Sequence, residues 1–519
     1  MSATHSGPTR RLSKLRLTIA LAVICAVVAA GFINVRDWAV SRDVVSAEPW
    51  FAGYVDVTAT PHHEFENPAG ESSSQVMLSF IVAAADAPCT PTWGGAYTLA
   101  AAATDLDLDR RIARLEQQGG AIGISFGGLL NDELATSCTD ARSLTRAYET
   151  VIERYGASTI DLDIEGENLS DAEAGERRAQ AIAGVQQSRR AAGEDLAVWL
   201  TLPAATFGLT EDGTTFVAQM LAAGVDIAGV NVMTMNFGDS LDDGETMADA
   251  SARALRETHR QLGILYSQAD TPLSSATLWR KLGATPMIGQ NDVATEVFTL
   301  EDATALNAFS LEQGLGRLSM WSLNRDTECG PNYVHLTRVS DSCSGVEQGT
   351  TRFADLLAAD FDGALESSAG AITLAEPQDG EIVDDPETSP YPIWNETASY
   401  PAGTKVVWKQ AVYQTKWWTS GDAPDAPVLS SFETPWTLLG PVLEGEKPVD
   451  QPTIPAGMYP EWDGMAVFEK GDRVIFDGLA YEAKWWTTAD SPEKYSADPG
   501  GAAWRPLTVE EIEEAVAAE

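Results

Sequence analysis

Eight short apolar runs alternate with longer helical stretches between about residues 50 and 357, and this alternation constrains the fold more than any other feature. Strands that alternate with helices predict a parallel sheet, and eight of them over roughly 300 residues predict a (β/α)8 TIM barrel. An open doubly wound sheet is the competing α/β arrangement. The expected strands are 50–55, 76–82, 121–126, 159–165, 196–202, 228–235, 285–289 and 317–322.

Three carboxylates occupy every second position of the fourth predicted strand: Asp161, Asp163 and Glu165. Side chains at alternate positions of a strand share one face, so the acids lie together and the apolar residues between them face the other way. Because neighbouring carboxylates repel one another, at least one should have a raised pKa. This arrangement suits a general acid beside an ionised partner. A solvated acidic strand face is the alternative.

Other polar and aromatic residues follow the ends of further predicted strands. The active sites of barrels lie at the C-terminal ends of their strands, so these residues should gather with the acids at one end of the barrel. They are Ser125-Phe-Gly-Gly128 after the third strand, Met233-Thr-Met-Asn236 after the sixth, Gln290 after the seventh and Trp321 at the eighth.

The charge and the N-terminal segment indicate where the protein works. A net charge of -42 argues against a nucleic-acid partner and suits an uncharged one. Basic residues precede an uncharged apolar stretch at 17–35, which predicts a signal peptide or a membrane anchor within a region 1–46. Either alternative predicts an exported protein, secreted or held at the cell surface.

The cysteines agree with export. Cys25 lies in the apolar stretch, and the other four should pair in an oxidising compartment. The strand order pairs Cys89 with Cys138 and Cys329 with Cys343. The adjacent pair His62-His63 has no Cys or Asp cluster near it in sequence, which is typical of plain loop residues, so we expect neither a metal nor a cofactor.

The C-terminal part contains an internal repeat in which aromatic residues recur 68 positions later without a gap. An acidic, proline-bearing stretch precedes the first repeat, and a second proline-bearing stretch separates the two. The repeats are too small for a large hydrophobic core and should form all-β modules. The predicted regions are a catalytic domain 47–362, a linker 363–390, a first module 391–442, a linker 443–457, a second module 458–508 and an acidic tail 509–519.

The aromatic residues of the repeats outnumber what such small cores can hide. A tandem Trp-Trp pair on a short strand would point one ring into the core and expose the other. Exposed rings stack on sugars, and two linked modules gain avidity on a repeating ligand, although a purely structural use is the alternative. The candidate binding residues are Trp394, Trp417 and Trp418 in the first repeat and Trp462, Trp485 and Trp486 in the second.

These motifs together resemble a known family. The barrel resembles glycoside hydrolase family 18, and the repeats look like short chitin-binding modules with an Ala-Lys-Trp-Trp-Thr signature, present at 483–487 and, with Thr first, at 415–419. Asp161, Asp163 and Glu165 match the last three acids of the family motif Asp-x-x-Asp-x-Asp-x-Glu, and Ser158 replaces its first. Ser125, Gly127 and Gly128 match its Ser-x-Gly-Gly, and Trp321 matches the Trp of strand eight.

One family pattern is incomplete. The strand-six pattern Met-x-Tyr-Asp stands here as Met233-Thr-Met235-Asn236, so the Tyr and the Asp are both absent. In the family the Tyr hydroxyl bonds to the substrate's acetamido oxygen, which Met235 cannot do. Asn236, Gln290 or Asn291 would have to take over, or turnover falls.

The resemblance implies an exported chitinase that hydrolyses β-1,4-linked N-acetylglucosamine by a substrate-assisted retaining mechanism. It makes Glu165 the general acid and base, Asp163 the residue that orients the acetamido group, and Asp161 a proton-sharing partner of Asp163. Trp321 would form the floor of the sugar site. The candidate substrate-binding residues are Ser125, Gly127, Gly128, Met233, Met235, Asn236, Gln290, Trp321, Tyr54 and Trp93.

Two other functions stay open. A weak or inactive chitin-binding lectin would also use this barrel, and the substitutions at 158, 235 and 236 favour it. An endo-acting hydrolase of other N-acetylglucosamine glycans is the third possibility. Trp93 could either stack on a sugar or cover the barrel edge. We expect a monomer with mobile modules, whose partner is chitin or its oligomers, with membrane contact only through an uncleaved anchor. Endo and exo cleavage are both open.

Overall fold

The structure, a computed structural model, describes residues 48–333, 335, 337–365, 373–375, 383–443, 445–448, 453–496 and 498–518. The predicted signal peptide or anchor lies outside these residues. Within the described ranges no helix has the length and apolar character needed to cross a membrane. The chain divides into two compact units. The first unit consists of the chain up to Thr201 together with two later segments, Ala223–Met233 and Trp279–Thr373. The second unit consists of Leu202–Ala222, Thr234–Leu278 and the chain from Leu374 onward.

A closed barrel of eight parallel strands forms the core of the first unit. The first strand pairs with the last through Trp50 and Arg317 and with the second through Gly53 and Val76, which closes the sheet and excludes the open alternative. The strands are β1 (Trp50–Phe51, continued as Gly53–Asp56), β2 (Gln75–Ala84), β3 (Ala121–Gly127), β4 (Thr159–Asp163), β5 (Ala197–Ala205), β6 (Ile227–Met233), β7 (Leu282–Thr285) and β8 (Arg317–Leu318).

Among the strands whose bounds differ from the prediction, β7 and β4 bear most on the site. Strand β7 ends at Thr285, where the prediction had begun it, because Pro286 follows and has no N–H to donate to the ladder. Gly289–Gln290 instead pairs antiparallel with Val297–Phe298. Strand β4 ends at Asp163, so Glu165 lies two residues beyond the strand rather than within it.

Helices between the strands follow from capping residues and one apolar face. The helix Ala141–Tyr155 begins where the Asp140 carboxylate accepts the Ser143 N–H and ends at Gly156 in the left-handed conformation. The helices of the first unit are Leu99–Asp105, Leu108–Gln117, Leu134–Ser137, Ala141–Tyr155, Glu167–Ser170, Ala172–Ala191, Leu300–Gln313 and Phe353–Leu357. Those of the second unit are Glu211–Ala222, Met247–Gln268 and Val509–Ala517, and Ser275–Arg280 spans the boundary.

Both predicted disulfides are present. Cys89 pairs with Cys138, 49 residues later, and Cys329 pairs with Cys343, 14 residues later. The barrel packing continues to Leu365, which is fully buried and whose carbonyl accepts the Thr159 hydroxyl at 2.9 Å. The described barrel therefore extends three residues past the predicted boundary at 362.

The two repeats in the second unit have the same small all-β fold. Each contains one three-stranded and one two-stranded antiparallel sheet. A buried Trp lies at the centre of each, and the indole N–H of Trp436 and of Trp504 donates to the carbonyls of Asp422 and Asp490, at 2.9 and 2.8 Å. The strands are Ser399–Tyr400, Lys405–Trp408, Ala411–Thr415, Thr419–Ser420 and Trp436–Pro441, then Val467–Phe468, Arg473–Phe476, Leu479–Ala483, Thr487–Thr488 and Trp504–Pro506.

Segments predicted as linker and tail also carry structure. The Asp384 carboxylate, in the predicted linker, accepts the N–H groups of Lys409 and Gln410 at 2.8 and 2.6 Å. The acidic tail forms the helix Val509–Ala517, with a capping box between Thr508 and Glu511.

Candidate active site

The acid motif occupies the C-terminal end of β4. Asp161 and Asp163 are buried inside the barrel, and Glu165 follows in a half-buried position. The Ile164 N–H donates to the Thr201 carbonyl at 3.1 Å, which continues the alignment with β5 beyond the end of the strand. The motif therefore presents its three carboxylates where the barrel opens.

Asp161 is held by donors from four other strands. Its Oδ2 accepts the hydroxyls of Tyr54 and Ser125, both at 2.8 Å. Its Oδ1 accepts the Thr201 hydroxyl at 2.6 Å and the Arg317 guanidinium at 2.7 Å. Both oxygens of the carboxylate are thus occupied, and the buried ion pair with Arg317 balances its charge.

A second layer of polar groups supports this network. Arg317 also donates to the Tyr54 hydroxyl at 3.0 Å, and the Asn231 amide donates to the hydroxyls of Thr201 and Thr285 at 2.9 and 2.6 Å. Burial is the main reason that the pKa of Tyr54 lies well above its ordinary value, so its phenol stays protonated. Our reading of the sequence missed Thr201, Asn231 and Arg317, although polar residues inside apolar strands were a usable signal.

Asp163 has a different environment. Its Oδ1 is buried and has no hydrogen-bond partner among the described residues. Burial, followed by the charges of Glu165 and Asp161, raises the pKa of Asp163 well above its usual range, while the Arg317 guanidinium opposes the shift. An unpaired buried carboxylate oxygen is costly, and it leaves an acceptor available for a ligand N–H.

Glu165 is poised to exchange a proton near neutral pH. Burial raises its pKa to about 7, and the nearby Asp292 carboxylate contributes to the shift. A group with this pKa can donate a proton in one step and accept one in the next. Asp292 lies two residues after Gln290, which we had placed at this end of the barrel, but the sequence did not single it out as a site residue.

Three aromatic rings lie together near the acids. The rings of Phe80 and Trp321 stack with centroids 5.5 Å apart and an interplanar angle of 17°. The Tyr54 ring lies 6.3 Å from Phe80 and 6.1 Å from Trp321, and its hydroxyl reaches Asp161. Phe80 and Trp321 are half-buried, so part of each ring is available to a ligand. Phe80 was not predicted.

The Ser-x-Gly-Gly motif brings β3 close to the acids. Gly127 has φ 102°, and a Cβ there would lie 2.0 Å from the Asp163 carbonyl oxygen. The Gly128 N–H donates to that same oxygen at 2.8 Å. Only glycine allows this approach, so the motif fixes the end of β4 from the neighbouring strand.

Trp93, Gln290 and Asn291 make other contacts in the structure than the predicted ones. Trp93 is 0% exposed and donates its indole N–H to the Tyr155 hydroxyl at 2.8 Å, so it covers the barrel edge and cannot stack on a sugar. The buried Gln290 amide donates to the carbonyls of its own loop at Asn291, Ala294 and Glu296. The Asn291 amide also donates within its loop. Neither amide is free to replace the missing Tyr hydroxyl.

The strand-six segment is divided between the two units. Met233 ends β6 and is half-buried, while Met235 and Asn236 belong to the second unit. Met235 is buried, and Asn236 has φ 53°, in the left-handed region that Asn tolerates better than most residues. No hydroxyl stands at position 235.

The candidate binding residues of the repeats are unequally exposed. Trp417 is 41% exposed, Trp485 43% and Trp486 60%, whereas Trp418 is half-buried. These pairs lie between strands rather than on them, so the alternation of a strand between core and solvent does not apply to them. Trp394 and Trp462 are half-buried and pack on aromatic rings of their own repeat, Trp408 and Phe476.

Among the described residues, no group of three or more His, Cys, Asp or Glu side chains is arranged to hold a metal ion.

Comparison with known proteins identifies relatives of one kind. The chain is 32% identical over 319 residues to a probable bifunctional chitinase/lysozyme of Escherichia coli (strain K12), covering 58% of this chain and 35% of that protein. It is 32% identical over 303 residues to endochitinase 11 of Metarhizium anisopliae, covering 56% of each. The chain thus spans about a third and about half of the length of these curated relatives.

A solved structure agrees. The catalytic domain of a hyperthermophilic chitinase from Pyrococcus furiosus matches with a TM-score of 0.51 and 28% identity, covering 61% of this chain and 97% of that one. No protein-family model matches the chain. Over the barrel region the chain is thus similar to two curated chitinases and to a solved chitinase catalytic domain.

Proposed function

We propose that this protein is an exported chitinase that cleaves β-1,4-linked N-acetylglucosamine polymers with retention of configuration. The observation that carries the proposal is the arrangement of the three acids: a fully bonded Asp161, an Asp163 with an unpaired oxygen, and a Glu165 with a pKa of about 7. The chitinase relatives support the substrate class.

In the first step Glu165 donates its proton to the glycosidic oxygen as the bond to C1 breaks. The carbonyl oxygen of the substrate's own 2-acetamido group attacks C1 and forms an oxazolinium, as in substrate-assisted glycosidases. In the second step the ionised Glu165 takes a proton from a water molecule. The water oxygen attacks C1 and opens the oxazolinium ring, which restores the acetamido group. The pKa of about 7 suits both roles.

Asp163 orients the acetamido group. Its unpaired Oδ1 accepts the acetamido N–H, and its carboxylate stabilises the positive charge of the oxazolinium. Asp161 holds the strand through its four donors. Our expectation that it shares a proton with Asp163 gains no support, since both Asp161 oxygens have other partners.

The aromatic rings provide the floor of the sugar site. Trp321, stacked on Phe80, offers an apolar face to the C–H side of the pyranose ring. The family's Tyr donor is absent at Met235, so we expect slower turnover than with a Tyr in that position. One lost oriented donor typically costs about 3 kcal/mol of transition-state stabilisation, or about 100-fold in rate.

A pair of matched oligosaccharides tests the mechanism. Residues 47–519 are incubated with N-acetylglucosamine hexamer and, separately, with the glucose hexamer of the same linkage, and the anomeric protons are followed by NMR. We expect cleavage of the first only, with the β-anomer appearing first. Cleavage of the glucose hexamer, or initial release of the α-anomer, would contradict substrate assistance.

A further inference from the structure

The two repeats touch each other through an aromatic pair. The Trp418 ring of the first repeat packs edge-on against the Tyr495 ring of the second, with centroids 5.9 Å apart and an interplanar angle of 85°. The residue equivalent to Trp418 in the second repeat, Trp486, is 60% exposed. The same sequence position therefore serves as a contact in one repeat and as a free surface in the other.

The C-terminal helix makes a second contact. The N–H of Val509, its first residue, donates to the Ala402 carbonyl of the first repeat at 3.1 Å. Gly403 lies beside it, and a Cβ built there would be 3.3 Å from the Val509 side chain. The tail helix thus packs closely on the first repeat.

The same helix is tied to the second repeat. Arg505, in the last strand of that repeat, donates to both carboxylate oxygens of Glu511 at 2.8 Å and to Glu482 at 2.8 Å. Hydrogen bonding to Arg505 is the main reason that the pKa of Glu511 is lowered. A bidentate arginine pair fixes direction as well as distance. The helix therefore bridges the repeats, held by Arg505 on one side and by Val509 on the other.

We propose that the two repeats and the C-terminal helix form one rigid platform that binds the surface of the insoluble polymer. Trp417, Trp485 and Trp486 are its sugar-contacting indoles, and Trp418 is a joint between the repeats rather than a binding residue. The ligand class rests on the proposed function. The rigid coupling replaces the mobile modules that the linker composition had predicted.

Rigidity has a measurable consequence for binding. Once the first repeat is bound, the second reaches the polymer without a further loss of orientational freedom, so the overall affinity exceeds that of either site. A short oligomer such as the N-acetylglucosamine trimer occupies a single site, so its affinity gains nothing from the coupling. Loss of the coupling should therefore weaken binding to the polymer and leave binding to the N-acetylglucosamine trimer unchanged.

The coupling is tested with a double variant, Tyr495→Ala with Val509→Pro. Proline is well tolerated at the first position of a helix, so the second change removes the N–H that bonds Ala402 without breaking the helix. Val509→Ala, which keeps that N–H, is the matched control. Every variant is made in residues 47–519, in which the four cysteines form two disulfides.

The distance between the repeats is read directly. Nitroxide labels on Glu396→Cys and Glu461→Cys, both exposed positions, report it by electron–electron double resonance. We expect one narrow distance distribution in the parent and the Val509→Ala control, and a broad one in the double variant. A broad distribution in the parent, or a narrow one in the double variant, would overturn the coupling whatever the ligand.

Binding is read separately. We expect the double variant to bind chitin roughly tenfold or more weakly than the parent does, and to bind the N-acetylglucosamine trimer with the same affinity as the parent. Trp418→Ala should keep the trimer affinity of the parent, whereas Trp486→Ala should weaken trimer binding. Unchanged chitin affinity in the double variant, or loss of trimer binding in Trp418→Ala, would contradict the platform. Failure of the parent to bind either sugar would refute the ligand, while the distance measurement would still decide the coupling.

Discussion

Replacing Arg317 by Met is a strong test of the buried network under the acids. Arg317 and Asp161 form an ion pair of 2.7 Å in which both side chains are 0% exposed. Methionine fills much of the same volume but leaves the Asp161 carboxylate buried without its counter-charge. It also removes the donor to the Tyr54 hydroxyl.

The expected loss follows from burial. Removing one partner of a fully buried ion pair costs about 3–5 kcal/mol, because the remaining charge stays desolvated. Arg154 and Asp109 provide a control at the same 2.7 Å separation, but their side chains are 31% and 50% exposed. Solvent screening reduces such a surface pair to about 0–1 kcal/mol.

The measurement is urea unfolding of residues 47–519, followed by far-ultraviolet circular dichroism, for the parent, Arg317→Met and Arg154→Met. We expect the free energy of barrel unfolding to fall several times more for Arg317→Met than for Arg154→Met. Equal losses in the two variants, or a loss below about 1 kcal/mol for Arg317→Met, would refute the reasoning that this buried charge needs its partner.

Two further predictions concern activity. The kcat/KM should fall as the pH rises through about 7, because Glu165 must be protonated to act as the acid; Asp292→Asn removes a negative charge, lowers that pKa and should move the alkaline limb to lower pH. If the alkaline limb of the kcat/KM profile does not move in this variant, Asp292 does not contribute to the raised pKa of Glu165. Gly127→Ala should lower kcat about 100-fold, because the new Cβ would displace the Asp163 carbonyl. Gly119→Ala, also at positive φ but with open space around it, should leave kcat unchanged, and equal rates in both variants would contradict the role of close approach.

The sequence predicted the barrel and its acid strand because both depend on local patterns. Eight apolar runs and three alternating carboxylates are visible without any knowledge of distant contacts. The exact end of β7 was missed because the apolar run continues past Pro286, whereas the regular strand ends at Thr285 and only an isolated bridge between Met287 and Trp321 follows.

The rest of the site depends on contacts between residues far apart in the chain. Thr201 and Arg317 reach Asp161 across 40 and 156 residues, and nothing in their own segments identifies the partner. Trp93 was ambiguous for the same reason, since its burial is decided by packing against Tyr155, 62 residues later. The Trp418 contact with Tyr495 likewise depends on how the two repeats pack, which their near-identical motifs do not reveal.

The central claim is that Glu165 donates the proton in chitin hydrolysis. Residues 47–519 of the parent and of Glu165→Gln are incubated with chitin and with N-acetylglucosamine oligomers, and released sugars are followed by mass spectrometry. We expect release by the parent, none above background by the variant, and equal chitin binding by both. Turnover by the variant would contradict the assignment of the acid, and binding without release by either protein would contradict the hydrolase and favour a chitin lectin.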